Sequence, residues 1–341
     1  MKKKLPETGV FFMPLSLHIH SPDMLAYPRI VFYGTPSIAA ASLSRMLMEG
    51  LNVVAVVTAP DKPAGRGLRL SRSPVKDMAT EKGIPVLQPE HMKDPGFLSR
   101  LRTINPDLQV VVAFRMMPKE VWSCPPLGTF NLHASLLPQY RGAAPINWAI
   151  INGETETGVT TFLLEDKMDT GHILLSEKVS IRPNETAGEL HDRLMDIGAG
   201  LVIKTVHAIV SGTARPVPQP RVIPEGEKLK PAPKFSREDA RIDWSRNYME
   251  VYNLIRGMSP SPGAFTEIPL AGGTVLVLKI LHADAVDAQG TMAGNGFQTD
   301  RKTFLQIPAG DGYIALKEVQ PAGKKVMSIR EFLNGFGRLM L

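Results

Sequence analysis

Cysteine is nearly absent from this chain of 341 residues: Cys124 is the only one, so an internal disulfide is impossible and a cysteine-based zinc site is excluded. That fits a reducing compartment, and Cys124 near Trp122 reads as a small buried hydrophobe rather than a nucleophile. Long apolar runs are missing as well, and none approaches the ~20 residues that a membrane span requires. The opening stretch, MKKKLPETGVFFMPLSLHIH, pairs a basic head with a short apolar patch, but Glu7 and Pro14 interrupt it and no cleavage site follows. It reads as an extension over residues 1–27, with Met24 as the alternative start and the His18 and His20 pair incidental. Internal repeats and low-complexity segments are absent too. GTPSIAA lacks the GxGxxG fingerprint of dinucleotide binders, which argues against a nicotinamide cofactor.

The length suits two domains, each able to bury its own core, and 43% hydrophobic with 21% charged residues marks an ordinary globular chain. A net charge of +6 points mildly to a polyanionic partner, because basic side chains gain affinity by releasing the counterions condensed on phosphates.

Arg29 to Tyr33 reads as a strand, GTP at 34–36 turns it into a helix through SIAAASLSRMLMEG, and NVVAVVTA is the next strand. DLQVVVAF is a nearly continuous apolar run, the pattern of a strand covered on both faces, so an open parallel α/β sheet is expected. The long amphipathic pattern in TAGELHDRLMDIGAGLVIKTVHAIVSG closes a first domain over residues 28–213. Residues 214–234 are rich in proline and charge and read as an extended linker with no helix. From 235 to 341 a short helix around Arg246 to Arg256 precedes short apolar runs separated by glycines, AFTEI, TVLVLKILHA and YIALKEVQ, which argue for a small β-barrel.

The chemistry is expected in GTFNLHASLLPQYRGAAPINW, where an extended chain puts Asn131 and His133 on one face and Phe130 and Leu132 on the other. A later strand breaks at Lys167 to Gly171 and carries Asp169 in the break. An amide, an imidazole and a carboxylate, with no serine or cysteine nucleophile joined to them, suit direct transfer of an acyl group to an amine. Asn131 would hydrogen-bond the developing oxyanion, His133 would share that task, and Asp169 would orient the imidazole and help take the amine's proton. On spacing alone such an Asn/His pair is more often structural. Between Asp61 and Asp77 the chain carries Lys62, Arg66, Arg69, Arg72 and Lys76 among glycines and prolines and reads as a mobile basic loop, either solvated or phosphate-binding. Phe114, Met116 and Met117 fit an apolar ligand slot or core filler, and Arg141 beside Gly142 fits a ligand contact or a turn brace.

Taken together, N-L-H, SLLPQYRG and MDTG resemble the folate-dependent formyltransferases, as do the GTP turn, the loop APDKPAGRGLRLSRSPVK and the later ARIDW. The likeness runs from Arg29 to the end. It implies a Rossmann-like catalytic domain followed by an OB-like barrel, and transfer of the formyl group of 10-formyltetrahydrofolate to the amino group of methionine esterified to initiator tRNA. Asn131, His133 and Asp169 would be catalytic, with no metal. Folate would touch Phe114, Arg115, Met116, Met117, Ser135, Leu136, Leu137, Pro138, Arg141 and Gly142. The tRNA would touch Lys62 and Arg66 above all, then Arg69, Arg72 and Lys76. A cytoplasmic monomer without membrane contact is expected. The chain departs from the family in having Phe114 and Arg115 for the usual Tyr-Gly, His172 for an aspartate, and Ile38 for a phenylalanine. Rival expectations are a formyltransferase for an amino sugar nucleotide or other small amine, a hydrolase of the same folate, and a non-catalytic RNA-binding protein.

Overall fold

The computed structural model describes residues 28–64, 69–270, 273–288 and 296–336; the extension with its Met24, His18 and His20, and Arg66 of the basic loop, lie outside the described residues. Strand β1 (Ile30–Gly34) leads to helix α1 (Ser37–Met48) and strand β2 (Val53–Val57). A short antiparallel pair follows, β3 (Lys62–Ala64) with β4 (Arg69–Ser71), and runs directly into helix α2 (Pro74–Glu81). The stretch expected as a mobile basic loop therefore holds a pair of short strands followed by a helix. The Ser73 hydroxyl caps that helix by accepting from the Lys76 N–H at 3.1 Å, and Pro74 suits its first turn, where no N–H partner is needed.

Strand β5 (Val86–Leu87), helix α3 (Pro95–Ile104), strand β6 (Leu108–Val112), helix α4 (Lys119–Trp122), strand β7 (Thr129–His133) and helix α5 (Pro145–Ile151) continue the alternation. Strands β8 (Glu156–Leu163) and β9 (Ile173–Ser180) then form a hairpin, and the long helix α6 (Ala187–Val210) follows. The strands lie in the order β5-β2-β1-β6-β7-β8-β9. The first five are parallel, whereas β8 runs antiparallel to both β7 and β9, so the sheet is mixed rather than wholly parallel. Apolar patterning marks a buried strand but not its direction, and the short connection from β8 to β9 permits only the antiparallel one.

Alternation fills both faces. Ile30 and Phe32 join the core under α1 and α6, while Val31 and Tyr33 join the opposite core with Phe97, Leu101 and Val121. Complete burial of each such side chain stabilises by about 1.5–3 kcal/mol. Helix α6 lies so close to β7 that a Cβ at Gly198 would sit 2.8 Å from Leu132 Cδ2, so glycine there sets how deep β7 lies. The capping box of Thr186 and Glu189 starts that helix.

Residues 214–234 are a strap laid over the first domain rather than a free linker: Val217 bridges Ile173, Ala232 bridges Gly142, and Gln219–Val222 form a 3-10 turn where no helix was expected. Helix α7 (Tyr248–Met258) begins two residues later than expected; β10 (Ala264–Pro269), β11 (Val275–Asp287), β12 (Gln298–Thr299), β13 (Leu305–Ala309), β14 (Gly312–Pro321), β15 (Met327–Ser328) and α8 (Ile329–Phe336) complete the chain. These strands form an antiparallel sheet in the order β10-β11-β14-β13-β12 with β15 on β14, wrapped around its own core with α7 and α8, as the expected barrel-like domain requires. Helix α7 docks on the first domain through Tyr252 Oη donating to Asn184 Oδ1 at 2.8 Å and Arg256 donating to the Glu185 carbonyl at 3.2 Å. Among the described residues no helix is long and apolar enough to cross a membrane.

Candidate active site

A cleft of about 660 Å³ opens at the carboxyl ends of β6 and β7 and is lined by Asn131, His133 and Asp169 together. Strand geometry puts the first two there. Phe130 and Leu132 belong to the core, so the intervening positions, half-buried Asn131 and buried His133, meet the cleft. Asp169 arrives from the connection between β8 and β9, where its own backbone takes a left-handed conformation at φ 53. Its Oδ2 accepts the Gly142 N–H at 3.1 Å. The neck of that connection is closed by His172, whose Nδ1–H is donated to Glu165 Oε1 at 2.5 Å, so the residue that departs from the family pattern holds the loop that carries Asp169.

His133 is fixed by Tyr140. A carbonyl can only accept, so the 2.8 Å bond between His133 Nε2 and the Tyr140 backbone oxygen places a proton on Nε2, and in the neutral ring Nδ1 is the acceptor. The orienting partner expected of Asp169 is thus a backbone carbonyl. The Phe162 ring edge packs against the imidazole with centroids 6.5 Å apart. Tyr140 is itself clamped: its hydroxyl donates to Glu154 Oε1 at 2.5 Å, Lys230 of the strap donates to the same oxygen at 2.6 Å, and the Tyr140 N–H goes to the Lys230 carbonyl at 2.7 Å. Burial and then the Glu154 bond push the Tyr140 hydroxyl above the ordinary tyrosine pKa.

The expected folate contacts divide. Phe114, Arg115, Met116, Met117 and Gly142 line the cleft. Chain reversal at Ala113, φ 47, ends β6 two residues short of Phe114 and frees these side chains from the sheet. Met116 is exposed while Met117 is buried, and Phe114 packs edge-on against Tyr33. Arg115 donates to the carbonyls of Pro89 and Glu90 and lies over the Phe114 ring. Ser135, Leu136, Leu137 and Pro138, by contrast, do not line the cleft. Ser135, Leu137 and Pro138 are buried, with the Leu137 N–H and the Ser135 carbonyl both bonded to Thr160 Oγ1. Arg141 is likewise off the cleft; its Nε and Nη2 donate to Gln219 Oε1 at 3.0 and 2.5 Å. Burial lowers its pKa, and the nearby Asp169 carboxylate partly restores it.

The expected tRNA contacts also divide. Lys62 and Arg72 are exposed on the hairpin side, and the Arg69 backbone pairs in β4. Lys76 instead lies in α2 with its ammonium 2.5 Å from Asp61 Oδ2, both side chains mostly covered. Among the residues not anticipated at the site are Tyr140, Ile38, His191 and Gln219; the first carries the bond to His133, and Ile38 and His191 line the cleft. Only Gln219, isolated between prolines, had no pattern around it to mark it out.

Polar groups gathered in a cleft at the carboxyl edge of a Rossmann-like sheet, in a chain with a second, antiparallel domain, mark the ligand site of an α/β enzyme. The chain belongs to the formyl transferase family: the model of the formyl transferase domain matches residues 28–206, and that of the formyl transferase C-terminal domain matches residues 234–337. Among its relatives are the methionyl-tRNA formyltransferases of Azobacteroides pseudotrichonymphae, 49% identical over 92% of this chain and 97% of that protein, and of Phocaeicola vulgatus, 50% identical over 90% and 95%. The fold is shared with an N-formyltransferase from Helicobacter canadensis solved with folinic acid and dTDP-3-aminofucose, at a TM-score of 0.56 and 21% identity over 85% of this chain and 98% of that one. It is shared also with a HypX variant from Aquifex aeolicus, at 0.61 and 17% over 93% of this chain; this chain spans about half of that one, 49%.

Proposed function

We propose that this enzyme transfers the formyl group of 10-formyltetrahydrofolate to the α-amino group of methionine carried on initiator tRNA, acting in the cytoplasm as a monomer. The observation that supports it best is the meeting of Asn131, His133 and Asp169 on one cleft, in a chain about half identical to methionyl-tRNA formyltransferases over nine-tenths of its length.

The neutral amine attacks the formyl carbon and the carbonyl oxygen becomes an oxyanion. The Asn131 amide donates to it, a contribution of roughly 10²- to 10³-fold in rate. The amine must then lose a proton. His133 meets it as an acceptor, because Nε2–H is already held by Tyr140, and only after taking that proton does the ring gain a second donor. General-base help of this kind is worth about 10²- to 10⁴-fold. Asp169, held by Gly142, is a second acceptor on the same cleft. The tetrahedral intermediate collapses with cleavage of the bond from carbon to folate N10, which takes up a proton. Phe114, Arg115, Met116 and Met117 would seat the pterin end of the folate, and Lys62, Arg66, Arg69 and Arg72 would reach the tRNA phosphates.

The test is to mix the protein with 10-formyltetrahydrofolate and methionyl initiator tRNA, then weigh the amino acid released from the tRNA. A gain of one formyl group on methionine is expected; formate released into solution with unmodified methionine would favour the hydrolase.

A further inference from the structure

Gln219 lies in the strap, fifty residues from the catalytic loop in sequence, yet it is completely buried against it. Both hydrogens of its amide are taken by that loop: Nε2 donates to the Asp169 carbonyl at 2.9 Å and to the Gly171 carbonyl at 2.8 Å. Its Oε1 accepts both Nε and Nη2 of Arg141. Every hydrogen-bonding group of the side chain is therefore assigned, and each bond crosses between segments. The strap is pinned beside it, since Val217 and Ile173 exchange backbone bonds at 2.8 and 2.9 Å.

Asp169 needs such a hold. Its left-handed backbone is one that an aspartate visits but does not favour, and it persists only where neighbours determine it. The carboxylate is tied to Gly142 and the carbonyl to Gln219, so both ends of the residue are fixed from outside its own loop. Arg141 reaches the loop through Gln219, whose neutral amide accepts from the guanidinium and supplies the two donors to the loop carbonyls.

We infer that Gln219 is a positioning residue for formyl transfer, holding the Asp169 loop in the conformation that presents its carboxylate to the cleft. The inference rests on the proposed part of Asp169 in that reaction. It also makes the strap an integral piece of the site, so that the segment leading to the second domain determines the geometry of the first.

The experiment uses the full chain and single-turnover formylation of methionyl-tRNA, with folate and tRNA affinities measured separately. Gln219→Glu keeps the volume and strengthens the pairing with Arg141, but it turns two donors into an acceptor facing two carbonyls. A loss of about 10²-fold in rate with unchanged affinities is expected, the scale for displacement of a catalytic group by roughly 1 Å. Gln219→Ala should lose as much if it folds, and Gln219→Glu carries the test if it does not. In an Asp169→Asn background, Gln219→Glu should cost almost nothing more, because residues acting through one another are not additive. A Gln219→Glu rate equal to wild type would show that the side chain merely satisfies Arg141. Equal losses in both backgrounds would show that it does not act through Asp169. Either result overturns the inference while leaving the proposed function intact, whereas a wild-type chain that formylates no methionyl-tRNA would take down both.

Discussion

His133 donates its Nε2 proton to the backbone carbonyl of Tyr140 at 2.8 Å, seven residues further along the chain. The bond decides which nitrogen of the ring can take a proton. It also links the imidazole to the strap, because the same tyrosine gives its N–H to Lys230 and its hydroxyl to Glu154, which Lys230 pairs in turn. Asp169 is tied to the strap through Gln219, so both groups proposed as proton acceptors depend on a segment that precedes the second domain.

His133→Ala should therefore lower the single-turnover rate by about 10²- to 10⁴-fold, the usual share of a general base, with folate affinity retained. Tyr140→Phe is the control. It removes the hydroxyl's bonds to Glu154 and Asn152 but keeps the carbonyl, so the rate should stay near wild type while stability falls by about 1–2 kcal/mol. A large rate loss in Tyr140→Phe would mean that the hydroxyl, not the carbonyl, matters to the chemistry.

The basic hairpin offers a contrast between two lysines. Lys62 is exposed in β3, whereas the Lys76 ammonium is covered and bonded to Asp61, which Gln88 also contacts. The bond from Lys76, and then that from Gln88, holds the Asp61 carboxyl below its ordinary pKa. Lys62→Ala should weaken tRNA binding and reduce the salt dependence of the affinity by about 0.7–0.9 in log-log slope. Lys76→Ala should leave that slope alone and lower the melting temperature instead. Titration of tRNA binding against potassium chloride distinguishes them, and equal slopes for Lys62→Ala and wild type would remove Lys62 from the interface.

Much of this was legible before any coordinates. Alternation along NLH put Asn131 and His133 on one face because a strand allows nothing else, and the break after FLLE placed Asp169 where a loop must be. What escaped was long-range and polar. Gln219 reaches Asp169 from a proline-rich stretch that has no periodicity to reveal a partner, and Ser135 to Pro138 looked ligand-facing by motif although Thr160 draws them beneath the strand. The hairpin at Lys62 to Ser71 was hidden for a similar reason: two strands of three residues are too short to show a period.

Gly142 should tolerate no side chain. Its φ of 129 lies outside what alanine adopts readily, and an added Cβ would fall 2.3 Å from the Ala232 carbonyl oxygen, which is backbone and cannot swing away. Gly142→Ala should cost roughly 1–3 kcal/mol and loosen the donor that Asp169 Oδ2 uses, so the rate should fall with the stability. Urea unfolding with a wild-type midpoint would show that the strap yields freely.

Alkaline stability provides the last test, through Tyr33. It is wholly buried, and among the described residues its hydroxyl has no hydrogen-bond partner. Burial, followed by the influence of Cys124, pushes its pKa far above the ordinary 10.0. A group that keeps its proton longer in the native state than in the unfolded one makes stability fall as pH rises, starting near the unfolded value and continuing to the native one. The slope is about 1.4 kcal/mol per pH unit for each such tyrosine. Tyr140, Tyr252 and Cys124 have shifts of the same sign, so stability should be level to about pH 9 and then drop with all four contributions. Tyr33→Phe removes one of them and a buried hydroxyl that bonds to nothing, so it should be neutral or stabilising by about 1 kcal/mol near pH 7 and should shallow the alkaline decline. Denaturant melts at several pH values above 9 would measure both, and a Tyr33→Phe protein that is less stable at neutral pH with an unchanged alkaline slope would mean that the hydroxyl is bonded in the native protein.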